Sequence, residues 1–371
     1  MKSRLFIALA AACAVAVGAF ADKPRITSQD QLPRFNYAFT GKVTDIVTSE
    51  EAYAKLATAV RADLEKLLAD YDIADRATLQ GVLGVLLAMD VHEGRHDAAL
   101  QKIVQMRALD EKPAAKLTTG LLAEAYVRTR MSGDFSTVEA FQAAFAATYA
   151  KQLAALPWDI VADNIKGAKG SAEIVTAALM LGNMESSLQP GVDKSGSLSG
   201  DVAQGLVAAR TTFAHYLPLK AQRVAVLDAY VEDYFKEKPD RWTPRQVALD
   251  AGQPLTPVIL AVWDSGVDTT LFPQQLWTNP AERADGRDDD ANGYVDDVNG
   301  IGFDLKSNRT PDLLVPLDDA LRAAYPSMRN FTKGILDLQA SIDSVEAADL
   351  KKHLGSLQPA DVQGFLEKLN F

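Results

Sequence analysis

Cysteine and histidine are scarce in this chain, which has one cysteine and four histidines among its 371 residues. A single cysteine excludes a disulfide framework and any zinc cluster built from thiolates. Cations are also in the minority, since 38 lysines and arginines stand against 49 acidic residues and the formal net charge is −11. Nucleic-acid binding requires a basic face, so this balance argues against a nucleic acid as a partner.

Long apolar runs are missing except at the N-terminus, where the run over 5–19 is too short to cross a bilayer. A basic N-terminus precedes this run, and small residues follow it up to Ala21. This pattern predicts a secretory signal peptide over 1–21, and therefore a secreted or periplasmic protein that has no membrane association after cleavage. A lipoprotein site at Cys13 is the alternative, although the apolar stretch before it is short.

Residues 22–253 carry the pattern of an all-α N-terminal domain. Apolar residues recur at steps of three and four from Tyr53 to Tyr71, and Thr48 with Glu51 forms a capping-box signature. The stretch 189–200 is rich in glycine and serine and predicts a surface loop. Further helical stretches are separated by glycine and proline, at 78–90, 97–109, 116–130, 136–155, 171–186, 201–216 and 218–236.

The pattern changes after residue 254, where the run 258–263 is apolar without alternation. Such a run is typical of a parallel strand that is buried on both faces. Asp264 follows directly, at the end of a strand where open α/β sheets place their active sites. The alternative is an aspartate that only caps a turn.

An acidic segment over 282–304 contains eight carboxylates and two arginines. Asp288, Asp290 and Asn292 alternate and are followed by Gly293, which is the ligand pattern of a calcium loop, and Asp296 is a further ligand through a water. Crowded carboxylates are costly without a cation, so we expect calcium here. The ligand pattern is not a full EF-hand, and a solvated acidic loop is the alternative.

His92 to His96 read H-E-G-R-H, which fits a zinc-protease motif by its letters. Two histidines four residues apart on one helix can share a zinc ion, and the glutamate would activate its water. Gly94 interrupts such a helix, however. We therefore favour a corner between two helices, with Gly94 ending the first and Asp97 starting the second.

The residues from 258 to 304 resemble a known family. The letters V-I-L-A-V-W-D-S-G-V-D over 258–268 are similar to the aspartate motif of the subtilisin-like serine proteases. The segment that commonly follows this motif is matched by Trp277, Asn279-Pro280, D-D-D-A-N-G-Y-V-D-D-V-N-G over 288–300 and Phe303-Asp304. The resemblance covers about 50 of the 371 residues, in the order of the family.

The resemblance implies a secreted endopeptidase that cleaves polypeptide substrates with an Asp-His-Ser triad in which Asp264 is the aspartate. The family's histidine and serine motifs follow the aspartate, but His353 is the one later histidine and its setting does not match. We therefore expect an N-terminal portion, inactive as given. It comprises the all-α domain, the incomplete start of an α/β subtilisin-like parallel-sheet domain over 254–310, and a helical insertion over 311–371.

A non-enzymatic protein is the rival hypothesis. In this reading the chain is an exported helical module that binds calcium, or a partner protein, and the missing catalytic pair reflects a pseudoprotease. The large helical region and the acidic loop would serve this role without any triad.

Overall fold

The computed structural model describes residues 23–236, 240–250, 252–264, 266–304, 307–313 and 319–367. The predicted signal peptide over 1–21 and Ser265 of the aspartate motif lie outside the described residues. The chain divides into two compact units, one formed by residues up to Phe235 with Asn330–Phe371, and the other by Lys236–Arg329.

The chain is mainly helical, and its strands are short. The helices of the N-terminal part are α1 (Val43–Thr48), α2 (Glu50–Asp70), α3 (Arg76–His92), α4 (His96–Leu109), α5 (Pro113–Thr118), α6 (Leu121–Met131), α7 (Val138–Ala154), α8 (Trp158–Ile174), α9 (Ala177–Ser187), α10 (Gln189–Ser195), α11 (Gly200–Thr211) and α12 (Lys220–Asp233). Those of the C-terminal part are α13 (Asp319–Ala340), α14 (Val345–Ser356) and α15 (Val362–Glu367). None of the described helices is both long and apolar enough to span a bilayer.

Three pairs of short strands accompany the helices. Strands β1 (Arg25–Ile26) and β3 (Asp72–Ile73) pair in parallel. Strands β2 (Asn36–Ala38) and β4 (Ser197–Ser199) pair antiparallel, and so do β5 (Gly302–Phe303) and β6 (Arg309–Thr310). These pairs tie chain segments together and do not build an extended sheet within the described residues.

Helix α2 follows the predicted pattern, because its apolar residues at steps of three and four, including Tyr53 and Leu64, are buried in one core cluster. The predicted capping box is wrong by one residue. Thr48 ends α1, and the Ser49 hydroxyl accepts the hydrogen bond from the backbone N–H of Ala52 that caps α2.

The turn between α3 and α4 is the helix corner expected from Gly94. This residue has a φ of +72°, a left-handed conformation that glycine adopts without strain, and it directly precedes the residue that caps α4. Asp90 of α3 stabilises this corner, because its buried carboxylate pairs with Arg61 at 3.1 Å and with Arg95 at 3.0 Å. Lys102 of α4 is its third cationic partner.

The surface loop predicted over 189–200 is wrong. The Gln189 side chain holds this segment, accepting from the backbone N–H of Val43 and donating to the carbonyl of Gly41, so that α10 forms. Gly196, with a φ of +65°, ends the helix, and β4 then buries Leu198 beside β2. Glycine and serine here serve as helix end and cap residues, which the composition alone could not distinguish from a loop.

The buried parallel strand predicted over 258–263 is also wrong for the structure described. These residues have no regular secondary structure, and their apolar side chains are exposed, from 66% for Val262 to complete exposure for Trp263. A parallel strand needs neighbours on both edges, and none of the described strands pairs with this stretch.

Helices α14 and α15, with residues 330–340 of α13, belong to the same compact unit as the N-terminal helices. Lys351 of α14 pairs with the buried Glu173 of α8 at 3.3 Å. Gly182 of α9 leaves no room for a side chain, because a Cβ there would collide with the Pro359 carbonyl and with Val362 of α15. Close backbone approach therefore joins these helices.

Candidate metal centre

The acidic segment over 282–304 folds as a chain of tight turns. Gly286, Gly293 and Gly300 all have φ values between +83° and +124°, which side chains other than glycine rarely adopt. Asp296 also has a positive φ of 56°, a conformation that aspartate tolerates better than most residues. The β5–β6 hairpin closes the segment, which belongs to the second unit.

Two of the predicted ligands brace these turns. The Asp288 carboxylate accepts from the backbone N–H groups of Asn292 at 3.0 Å and of Gly293 at 2.8 Å. One oxygen of Asp296 accepts from the N–H groups of Asp285 at 2.9 Å and of Gly286 at 2.8 Å. Carboxylates in such positions hold their own loop in a turn.

Asn292 occupies the centre of the loop. Its side-chain oxygen accepts from the N–H of Tyr294 at 2.8 Å, and its amide nitrogen donates to Asp297 at 3.1 Å. The amide therefore points toward a carboxylate that itself belongs to an acidic cluster. We call that cluster the carboxylate triplet, formed by Glu282, Asp290 and Asp297.

The carboxylate triplet brings three oxygens, one from each residue, within 4.8 Å of one another. Glu282 is 5% exposed, and its Oε2 and the Oδ1 of Asp297 are buried without a hydrogen-bond partner. No lysine or arginine of the described residues pairs with Glu282, Asp290 or Asp297. Buried unpaired carboxylate oxygens are costly, and a cation among them would relieve that cost.

Neighbouring backbone and amide groups position the triplet. Asn279 donates its side-chain amide to Asp290 at 3.0 Å, and its own N–H donates to the Val298 carbonyl at 2.7 Å. The N–H of Asp289 donates to Glu282 at 3.4 Å. The set consists of oxygen ligands, which suit hard cations such as calcium, magnesium or manganese. These three residues could hold a metal ion.

The structure brings one of the four sequence-predicted ligands, Asp290, into the carboxylate triplet. It places Asp288, Asn292 and Asp296 in the turns around it. Glu282 and Asp297 were missed because the prediction considered alternating positions within one continuous loop. The signal that could have found Glu282 is its place at the start of the acidic segment, where a folded loop can return to it.

Asp264, the predicted catalytic aspartate, is exposed at the end of the apolar stretch. Four residues further on, Asp268 accepts from the Thr270 hydroxyl at 2.6 Å and from its N–H at 2.8 Å, and these hydrogen bonds lower the pKa of Asp268 below its ordinary value. Between these two aspartates, the backbone N–H of Val267 donates to the Leu313 carbonyl at 2.9 Å.

The four histidines lie in the first compact unit, formed by residues up to Phe235 with Asn330–Phe371, which we call the helical unit. His353 packs between the rings of Phe331 and Phe365, at centroid distances of 4.9 and 5.4 Å. The zinc hypothesis for His92 and His96 has no support from this geometry, because both ring nitrogens of His92 face other side chains. Its Nδ1 lies 3.0 Å from His215 and its Nε2 lies 3.0 Å from Glu50.

Comparison of the chain with protein-family models, with curated proteins and with solved structures found no match.

Proposed function

We propose that residues 254–310 are the aspartate-bearing part of an exported subtilisin-like serine endopeptidase. The observation that carries the proposal is the order of its features: an apolar run, then Asp264 with small residues after it, then the acidic turns over 282–304. The exposed apolar side chains from Val258 to Trp263 support it, because a strand of a larger sheet would bury them.

In this proposal Asp264 accepts a hydrogen bond from Nδ1 of the catalytic histidine and so fixes its tautomer. The histidine removes the proton from the serine hydroxyl, whose oxygen attacks the peptide carbonyl. Both partners must come from polypeptide outside residues 1–371, because the four histidines here lie elsewhere and none stands in the family's motif. Residues 1–371 by themselves are then inactive.

The ion of the carboxylate triplet is calcium in this proposal. Its support is the all-oxygen donor set and the flexible, turn-rich loop, which suit calcium's six to eight ligands better than the strict octahedron of magnesium. An exported chain with a single cysteine has no disulfide to brace such a loop. A bound ion would supply that brace.

The rival function is that of an exported, non-enzymatic helical protein. It is favoured by the completeness of the helical unit, in which α14 and α15 close onto α8 and α9 through Lys351 and Gly182. In this case the calcium loop would be a structural appendage, and the helical unit would bind a partner protein.

The nucleotide sequence beyond codon 371 separates the two proposals. The endopeptidase proposal expects the same reading frame to encode H-G-T-H and then G-T-S motifs. A stop codon, with neither motif in any reading frame that follows it, would contradict the endopeptidase proposal and favour the non-enzymatic helical protein. Calcium binding by the triplet is measured separately, because both proposals include it.

A further inference from the structure

A cavity of about 410 Å³ that is partly open to solvent lies among α3, α5, α6, α7, α8 and α12. Small residues keep it open, because Gly84, Ala88, Gly120, Ala123 and Ala168 line its walls. Leu87, Leu121 and Ile165 add larger apolar side chains to the walls. Its volume falls in the range of small-molecule sites, which typically combine apolar walls with a few polar groups.

Arg223 of α12 is the one cation among the residues that line this cavity. One of its terminal nitrogens donates to the Ala168 carbonyl at 3.1 Å, and its Nε is buried without a partner. Among the described residues no carboxylate forms an ion pair with Arg223. The charge of Arg223 therefore lacks an acidic partner, and arginine is the side chain best suited to a planar carboxylate.

Two tyrosines stand beside Arg223. Tyr149 and Tyr216 also line the cavity, and burial raises the pKa of both hydroxyls, although the positive charge of Arg223 and, at Tyr149, a hydrogen bond with Arg223 oppose this. Both hydroxyls therefore remain protonated and can donate hydrogen bonds. Tyr216 reaches the cavity from a π-helical turn over Thr212–Tyr216, and such insertions into helices are frequent at functional sites.

We propose that this cavity binds a small apolar monocarboxylate, with its carboxylate on Arg223 and its hydrocarbon part between α3 and α8. An anion supplies the charge partner that the half-buried Arg223 guanidinium lacks, and the apolar walls gain from contact with a hydrocarbon. The residues that line the cavity include no aspartate or glutamate, so the ligand supplies the negative charge itself. This site is independent of the proposed endopeptidase and of its metal ion.

Three probe molecules test the proposal in calorimetric titrations of the whole chain: octanoate, 1-octanol and acetate. Octanoate should bind at one saturable site. The affinity for 1-octanol should be lower by a factor on the order of ten or more, and acetate should not bind. Equal binding of octanoate and 1-octanol would overturn the role of Arg223. Failure of octanoate to bind at millimolar concentration would overturn the site itself.

Variants locate the binding. Arg223→Gln should weaken octanoate binding on the order of ten- to a hundredfold. Ala168→Leu, which fills the cavity and keeps the cation, should weaken it too. Arg25→Gln is the matched control, because Arg25 is exposed and does not line the cavity. Unchanged octanoate binding by both cavity variants would contradict the proposal. If Arg223→Gln does not fold, unchanged binding by Ala168→Leu alone contradicts it.

Discussion

Nδ1 of His92 lies 3.0 Å from Nε2 of His215, so a histidine that ends α3 and one in the π-helical turn share a hydrogen bond. Both outer nitrogens are also engaged. Nε2 of His92 is 3.0 Å from Glu50, and Nδ1 of His215 is 2.9 Å from the Tyr126 hydroxyl. The chain of contacts from Glu50 through His92 and His215 to Tyr126 therefore connects α2, α3, the π-helical turn and α6. One ring must be neutral, because N–H groups on both sides of the shared bond would repel.

This pair makes the stability of the helical unit sensitive to acid. Burial, followed by the positive charges of His92, Arg130 and Arg210, lowers the pKa of His215 from 6.5 to about 4, which the negative charge of nearby Glu50 only partly opposes. The unfolded chain then binds the proton first, so this contribution is complete above about pH 6.5 and is lost as the pH falls toward 4.

Urea unfolding from pH 7.5 to 4.5 measures the effect. The shift corresponds to about 3 kcal/mol at most, and His215→Gln should flatten the pH dependence of the unfolding free energy by that order. His96→Gln, which changes a histidine on the other side of Gly94, should leave the wild-type slope. Parallel curves for wild type and His215→Gln would show that the pair does not sense pH.

Calcium should stabilise the second unit through the carboxylate triplet. Glu282→Gln or Asp297→Asn removes one charge from the cluster, and either should abolish a calcium-dependent increase in the protection of residues 282–300 from hydrogen exchange. At a calcium concentration a hundred times the Kd, the expected stabilisation is about 2.7 kcal/mol.

The matched control for this loop is Asp289→Asn, because Asp289 is exposed and its side chain is outside the triplet. It should respond to calcium as the wild type does. Equal loss of the response in Asp289→Asn and Glu282→Gln would indicate general charge attraction rather than a site. If calcium does not change the hydrogen-exchange rates of the wild type, the proposed metal centre is contradicted.

Asp90→Asn should destabilise the helical unit strongly. Its carboxylate is buried at the α3–α4 corner, and its loss removes the buried acidic partner of Lys102 and leaves Arg61 and Arg95 with Glu93 in place of two carboxylates. Breaking such a buried network typically costs about 3–5 kcal/mol. Glu111→Gln, which breaks an exposed pair, should cost less than about 1 kcal/mol in the same urea titration.

Gly182→Ala tests the docking of the C-terminal helices. The added methyl group would collide with the Pro359 carbonyl and Val362, so α15 should detach and be cleaved earlier in limited proteolysis. Gly205→Ala is the control, since that exposed glycine in α11 has open space around it and alanine there should stabilise by up to about 1 kcal/mol. Similar proteolysis of both variants would contradict the docking.

Periodicity predicted most helices of the N-terminal part but missed most of α8, and it predicted the connections poorly. The face of α2 around Tyr53 and the corner at Gly94 follow from spacing and glycine chemistry, which are local. The segment at 189–195 became helical because Gln189 bonds to Gly41 and Val43, about 150 residues away, and no local pattern contains that partner. Long-range partners decide such segments.

The same limit applies to the candidate site. Composition indicated an acidic metal loop. In the folded turns Asp290 is the one expected ligand in the carboxylate triplet, and Glu282 and Asp297, which sequence spacing does not bring together, complete it. The strand expected before Asp264 depends on neighbours too, and a parallel strand that lacks them stays exposed. Local pattern indicates the kind of chemistry, whereas the tertiary fold selects the atoms.

The most direct test of the endopeptidase proposal measures the hydrolysis of casein by the product of the whole reading frame. Wild type and Asp250→Asn, which changes an exposed aspartate outside the motif, should hydrolyse casein equally. Asp264→Asn should lower kcat on the order of 10⁴-fold, because the histidine loses the group that fixes its tautomer. Equal rates for Asp264→Asn and wild type, or no hydrolysis by the wild type, would contradict the account.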